Sequence, residues 1–255
     1  MKTETLERFA ALHQKLVSES EILQQIRNQK ADSVTRVITF VNPYSFFKLI
    51  DSDLDLGKID YIGVDAISLV GWLKLFGLSL TRSSMDQTSL FIPLIEAADQ
   101  DDHKIFAFGS TVERAKLAEK NLNFIERKDA LIRVQTGYFQ SEIPGDYFDA
   151  IESSKYVLVS VGSVLQEKFS IRLKDEFRHG RLIFTSGAFI DQSSQSAHYY
   201  PININRYNLR WLYRLFNEKH VRKRIIVDYP RFFVRYIFIT AVIKYKKWRA
   251  NAGSI

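Results

Sequence analysis

Lys155–Phe169 reads KYVLVSVGSVLQEKF. From Tyr156 to Val161 the run is apolar and rich in β-branched residues, interrupted only by Ser160. That is the pattern of a strand buried on both faces. Gly162-Ser163 supplies a tight turn, and a helical pattern follows with Phe169, Ile171 and Leu173 among its apolar residues. Strand, small-residue turn and helix make half of an α/β unit. The turn lies at the carboxyl end of a parallel strand, where open α/β sheets bind ligands. Gln166 and Glu167 fall in the first helical turn, where free backbone N–H groups and the helix dipole favour a phosphate. An ordinary strand–helix junction capped by Ser163 fits the same residues.

Outward from this stretch the unit repeats. Strand patterns fall at Val34–Phe40, Ile59–Val64, Lys104–Phe108, Leu131–Val134 and Leu182–Thr185, with helical patterns between them. Six strands alternating with helices give a parallel, Rossmann-like α/β sheet. Residues 1–32 read as two helices, the second opened by a capping box of Ser18 and Glu21, with packing or dimerisation as their role. The α/β body is expected over 33–205. A basic, aromatic helical appendage is expected over 206–255, beginning with an amphipathic helix at Asn208–Phe216. The stretch Asp191–Tyr200, rich in Ser and Gln, reads as a polar loop.

Chemistry-bearing residues collect at the carboxyl ends of these strands. Thr39 and Asn42 end the first, although Asn42-Pro43 is also ordinary turn chemistry. Asp65 ends the second, placed either as a base facing a substrate or as a helix N-cap. Arg82 follows in a polar connector. Gly109-Ser110-Thr111 makes a phosphate-cradle candidate that is not a P-loop, since the second Gly and the Lys are missing. The acidic run Asp51-Ser-Asp53-Leu-Asp55 follows a helix rather than a strand and reads as a solvated loop, not a metal site. The five histidines are scattered with no metal-ligand spacing. No metal or cofactor is expected.

The chain contains no cysteine, so it has neither a disulfide framework nor a thiolate metal site. No apolar run approaches the roughly 20 residues a membrane-spanning helix needs. The net charge of +7 is uneven: between Arg206 and Arg249 stand 13 Lys and Arg against Glu218 and Asp228. That asymmetry points to an anionic partner at the C-terminal end. Interleaved basic and aromatic residues also suit single-stranded nucleic acid. The near-helical spacing of Arg231–Trp248 favours an interfacial helix on an anionic membrane instead, and no nucleic acid is expected.

Several motifs together resemble the WecG/TagA/CpsF family of bacterial glycosyltransferases over roughly Val37–Phe233. Asn208-Leu-Arg-Trp-Leu-Tyr-Arg-Leu215 with Glu218 looks like the family's G-L-E-W-x-Y-R-L…E-P. Val159–Glu167 looks like its V-G-x-G-x-P-x-Q-E, with Ser160 and Val164 in place of Gly and Pro. Gly137-Tyr138-Phe139 and Gly187-Ala188-Phe189 match its G-Y-F and G-A-F. Val64-Asp65 keeps only the Asp of P-D-G-x-G. The R-x-x-G-x-D motif is loosely present at Arg82, GAF-D reaches Asp191 with one insertion, and R-A-P becomes Tyr199-Tyr200-Pro201.

The resemblance implies an inverting transferase that moves a hexose or N-acetylhexosamine from a UDP-sugar to a polyprenyl-diphosphate-linked saccharide in surface polysaccharide synthesis. It implies Asp65 as general base. It places Gln166, Glu167 and the Gly162 turn at the nucleotide, with Thr39, Asn42, Arg82, Tyr138 and Asp191 lining the pocket, to which the turn reading adds Gly109. Arg214, Arg222 and Arg224 would hold diphosphate, where forked guanidinium donors suit phosphate oxygens. The expected location is peripheral, at the cytoplasmic face of the bacterial inner membrane, and a homo-oligomer is compatible. A non-catalytic glycolipid-binding member of the family is the other reading.

Overall fold

The computed structural model describes residues 3–30, 33–126, 131–139, 142–195, 212, 215–216 and 219–252. Six strands form one sheet: β1 (Arg36–Val41), β2 (Tyr61–Val64), β3 (Lys104–Gly109), β4 (Ile132–Gln135), β5 (Ser154–Ser160) and β6 (Leu182–Thr185). Their order is β2-β1-β6-β5-β3-β4, and every pairing is parallel. Lys155–Ser160 therefore lies in a central strand, with all seven residues of β5 buried.

Parallel strands need crossovers, and these put helices on both faces. The residues of β5 serve those faces in turn: Val157 and Val159 belong to one core, Tyr156 and Leu158 to the other. This is the period-2 alternation of a strand. Helices α1 (Thr3–Gln14), α3 (Phe46–Ile50), α4 (Ile67–Leu75), α7 (Gly145–Glu152) and α8 (Leu165–Glu176) send residues to the first core. Helices α2 (Glu19–Asn28), α5 (Phe91–Gln100) and α6 (Val112–Glu126) send residues to the second. The N-terminal helices thus pack on the sheet, and Glu21 reaches back to the Ser18 N–H at 2.9 Å as the capping pattern implies.

One expectation needs correction. Residues 191–195 are not loop but part of helix α9 (Phe189–Gln195). Ser and Gln hide a helix whose anchors, Phe189 and Ile190, lie at its very start and are buried in the second core. The amphipathic pattern Asn208–Phe216 lies largely outside the described residues.

The C-terminal part begins with α10 (Lys219–Lys223), continues through a π-helical turn (Arg224–Asp228) and runs on as α11 (Tyr229–Ala252). In the π turn the Tyr229 N–H reaches five residues back to the Arg224 carbonyl. Pro230 accounts for the irregularity, since it has no N–H and its ring crowds the preceding turn. One face of α11 is buried through Phe232, Tyr236 and Ile239. Tyr236 donates to His13 on α1 at 2.8 Å, His13 being held as acceptor because its other ring nitrogen faces the Phe9 carbonyl. Arg235 makes a two-pronged ion pair with Asp51 at 2.5 and 2.6 Å. The Asp51–Asp55 run therefore serves as a docking corner and a cap, since Asp55 also accepts from the Gly57 N–H. No described helix is long and apolar enough to cross a membrane.

Candidate active site

A cavity of about 650 Å³ opens at the carboxyl edge of β2, β1, β6 and β5 and is closed on one side by Val221, Arg224, Ile225 and Tyr229 from the C-terminal helices. Sites for drug-sized ligands fall in the same range, about 300–1,000 Å³. A crevice opens here because the chain leaves β1 into α3 on the face of the first core but leaves β6 into α9 on the face of the second. This is the kind of crevice in which open α/β sheets bind ligands.

Asp65 lies on the cavity wall directly after β2. It does not cap α4: the N-cap of that helix is Ala66, with no side-chain cap bond. Its carboxylate instead meets Arg82, with Nη2 to Oδ1 at 3.0 Å, while Arg82 Nε donates to the Asp65 carbonyl at 2.8 Å. The same Nη2 reaches Asp86 at 3.1 Å and Ser84 Oγ at 2.7 Å. Burial alone would lower the Arg82 pKa, but the charges of Asp65 and Asp86 outweigh it and raise the guanidinium above its usual value. Arg82 is thus a fixed cation that fastens Asp65 at two points, its carboxylate and its backbone carbonyl. A carboxylate so held keeps its lone pairs aimed and its charge balanced, as a base needs.

Asn42 also lines the cavity, and it performs the turn chemistry as well: its Oδ1 accepts from the Tyr44 and Ser45 N–H groups at 3.0 and 3.1 Å. Gly162 has φ +85, a left-handed conformation that favours glycine, and forms the wall with Ser163 and Gln166. The Gln166 N–H is not open to a phosphate, because it donates to the Gly162 carbonyl at 2.9 Å. Asp191 is on the wall too, where it accepts from Arg114 at 2.9 Å and from the Ser110 hydroxyl.

Thr39 and Glu167 do not reach the cavity surface. Both are fully buried beneath it, joined by a hydrogen bond of 2.8 Å. Desolvation by burial raises the Glu167 pKa, against hydrogen bonds from Gln166 and Thr39 that lower it. Gly109 lies off the wall as well. A Cβ there would meet the Ser160 carbonyl at 2.5 Å, so that glycine serves the close approach of β3 and β5. Tyr138 is 74% exposed, outside the cavity. Arg222 is exposed and turns away to cap chain carbonyls, donating to Leu215 and Phe216 at 2.8 and 2.7 Å. Arg214 lies outside the described residues.

Arg224 is the basic side chain that the C-terminal helices bring to the wall. Its guanidinium stacks over the ring of Tyr44 at 4.2 Å, and Lys48 Nζ stands over the same ring at 4.0 Å and donates to its hydroxyl at 2.6 Å. That hydrogen bond, more than the opposing burial, lowers the Tyr44 pKa. Tyr44 was not singled out in the sequence. Its place directly after β1, beside Asn42, was the available signal. Ser160 stands where the family motif has Gly; its hydroxyl donates to the Gly187 carbonyl at 2.7 Å and so braces the turn after β6.

Two comparisons with known proteins find similar chains. The model of the Glycosyl transferase WecG/TagA/CpsF family matches residues 8–247. A UDP-Gal:alpha-D-GlcNAc-diphosphoundecaprenol beta-1,4-galactosyltransferase of Shigella boydii is 35% identical over 223 residues, covering 85% of this chain and 91% of that protein.

Proposed function

The chain belongs to the WecG/TagA/CpsF family of glycosyl transferases, and from that premise we propose that it transfers a hexose from a UDP-sugar to a saccharide carried on a polyprenyl diphosphate. Galactose is the first candidate for the sugar, because the Shigella relative uses UDP-Gal. The observation that carries the reading is a carboxylate on the cavity wall at the end of β2, Asp65, held by Arg82 in the same cavity as the Gly162 turn.

In this mechanism the UDP-sugar lies along the Gly162–Gln166 and Ser186–Ala188 turns. The acceptor hydroxyl comes to Asp65, which takes its proton as the oxygen attacks the anomeric carbon. The bond to the UDP oxygen breaks on the opposite face, so the anomeric configuration inverts. Arg224, supported on Tyr44, offers charge to a diphosphate, where such preorganised donors act most strongly.

The outer face of α11 supports membrane docking. Val234, Ile237, Phe238, Tyr245 and Trp248 are exposed and fall on one stripe at helical spacing, flanked by Lys244 and Arg249. An apolar stripe with basic flanks suits an anionic bilayer surface, where a lipid-linked acceptor would be presented.

The test is a transfer assay with UDP-galactose, UDP-glucose and their N-acetylamino counterparts against a short-chain GlcNAc-diphospholipid. Transfer from one of these donors, galactose first, is expected. Failure of all four, together with no binding of UDP, would overturn the reading.

A further inference from the structure

Glu167 is 0% exposed, and one of its carboxylate oxygens, Oε2, is buried with no hydrogen-bond partner. On stability alone such a position favours a neutral side chain, because burying a charge costs more than one-sided hydrogen bonding returns. Its other oxygen, Oε1, is where a network on three elements ends. Thr39 Oγ1 donates to it at 2.8 Å and Gln166 Nε2 at 2.9 Å. Thr39 has spent its single proton there, so its 2.8 Å contact with Thr185 must be donated by Thr185. At the far end the Gly187 N–H donates to Gln166 Oε1 at 3.1 Å.

The direction of every bond follows from two groups. A backbone N–H only donates, so Gln166 must turn its oxygen to Gly187. Glu167 Oε1 only accepts, whether the group is ionised or carries a proton on Oε2, so Gln166 must turn its nitrogen to Glu167. The amide is fixed from both sides, and one Nε2–H remains for another acceptor. Gln166 and Gly187 line the cavity, whereas Glu167 does not.

We propose that Glu167 is a positioning residue for the donor site: from beneath the cavity it sets the amide of Gln166, so that the floor presents an N–H to an oxygen of the nucleotide sugar. The inference rests on the reading that UDP lies on this wall. Without the carboxylate the Gln166 amide could reverse or rotate, and the Gly187 turn would lose its fixed acceptor.

The experiment is a double-mutant cycle on UDP affinity, using Glu167→Ala, Gln166→Ala and the double variant of the full chain, with far-UV circular dichroism as the folding control. Alanine leaves polar space that water can enter, which relieves the donors of Thr39 and Gln166 without fixing the amide. Each single variant should lose about tenfold in UDP affinity, the scale of a hydrogen bond to a charged group. The double variant should lose no more than Gln166→Ala alone, since Glu167 acts through Gln166. Glu167→Gln, whose carbonyl still accepts both bonds, should recover most of the affinity. If Glu167→Ala does not fold, Glu167→Ser takes its place in the cycle. Losses that multiply, wild-type affinity in Glu167→Ala, or a Glu167→Gln as weak as Glu167→Ala would overturn the inference alone. No UDP binding by the wild-type chain would overturn the donor-site reading as well.

Discussion

Asp65, Arg82, Tyr44 and Arg224 hold most of the proposed chemistry. Asp65→Asn keeps the shape and hydrogen bonding of the side chain but cannot take a proton. A folded variant with transfer reduced at least about a hundredfold is expected, the usual scale for loss of a general base. Initial rates measured beside a thermal melt check this. Tyr44→Leu removes the ring beneath Arg224 and Lys48. A cation–π contact of this partly exposed kind is worth about 1 kcal/mol, or roughly fivefold. That loss should appear in the KM of a diphosphate-bearing substrate, with the melting temperature little changed. At this scale the sequence was partly legible. A polar residue ending an apolar strand marked Asp65, but base and N-cap use the same pattern, and only the partner Arg82 separates them. Burial of Glu167 was hidden because a helix's first turn presents residues both to the cavity and to the sheet, and one position decides which.

The elements were easier to read, since apolar periods declare the buried faces. The Ser- and Gln-rich α9 was missed because helical spacing cannot show where the anchors precede the polar residues. The docking of α11 also needed the fold, as its partner His13 lies in α1 at the other end of the chain. Burial lowers the His13 pKa from its usual 6.5, a change that the Phe9 carbonyl only partly opposes. The neutral ring is therefore the folded form, and the unfolded chain binds the proton more readily. Stability should fall as pH drops below about 6.5, the loss being complete once the pH is under the folded value. Melts at pH 7.5 and 5.5 should differ less in His13→Phe than in the wild type. An equal difference in both would show that other groups set the slope. Tyr236→Ala, which empties a fully buried aromatic site, should destabilise by about 3–5 kcal/mol, as measured by urea unfolding.

On the scale of the whole molecule, the charge asymmetry in the sequence becomes a surface. The described end of α11 from Lys244 to Asn251 is exposed throughout, so its basic and aromatic residues are presented rather than packed. Lys and Arg near an anionic leaflet contribute about 1 kcal/mol each, screened within about 8 Å at physiological salt. The full chain should therefore float with anionic vesicles and release as salt rises. Trp248→Glu with Phe238→Glu should weaken flotation severalfold without changing UDP affinity. Preference for single-stranded nucleic acid over these vesicles at matched salt would contradict the membrane assignment.

In the proposed reaction a sugar is transferred with inversion, with Asp65 as the base, at the carboxyl edge of this sheet. The most direct measurement is single-turnover transfer from labelled UDP-galactose to a GlcNAc-diphospholipid, with the new linkage's anomeric configuration read by NMR, in the wild type and in Asp65→Asn. The wild type is expected to give a β-linked product, and Asp65→Asn to bind UDP normally yet form almost no product. An α-linked product, or near-normal transfer by Asp65→Asn, would contradict that reaction.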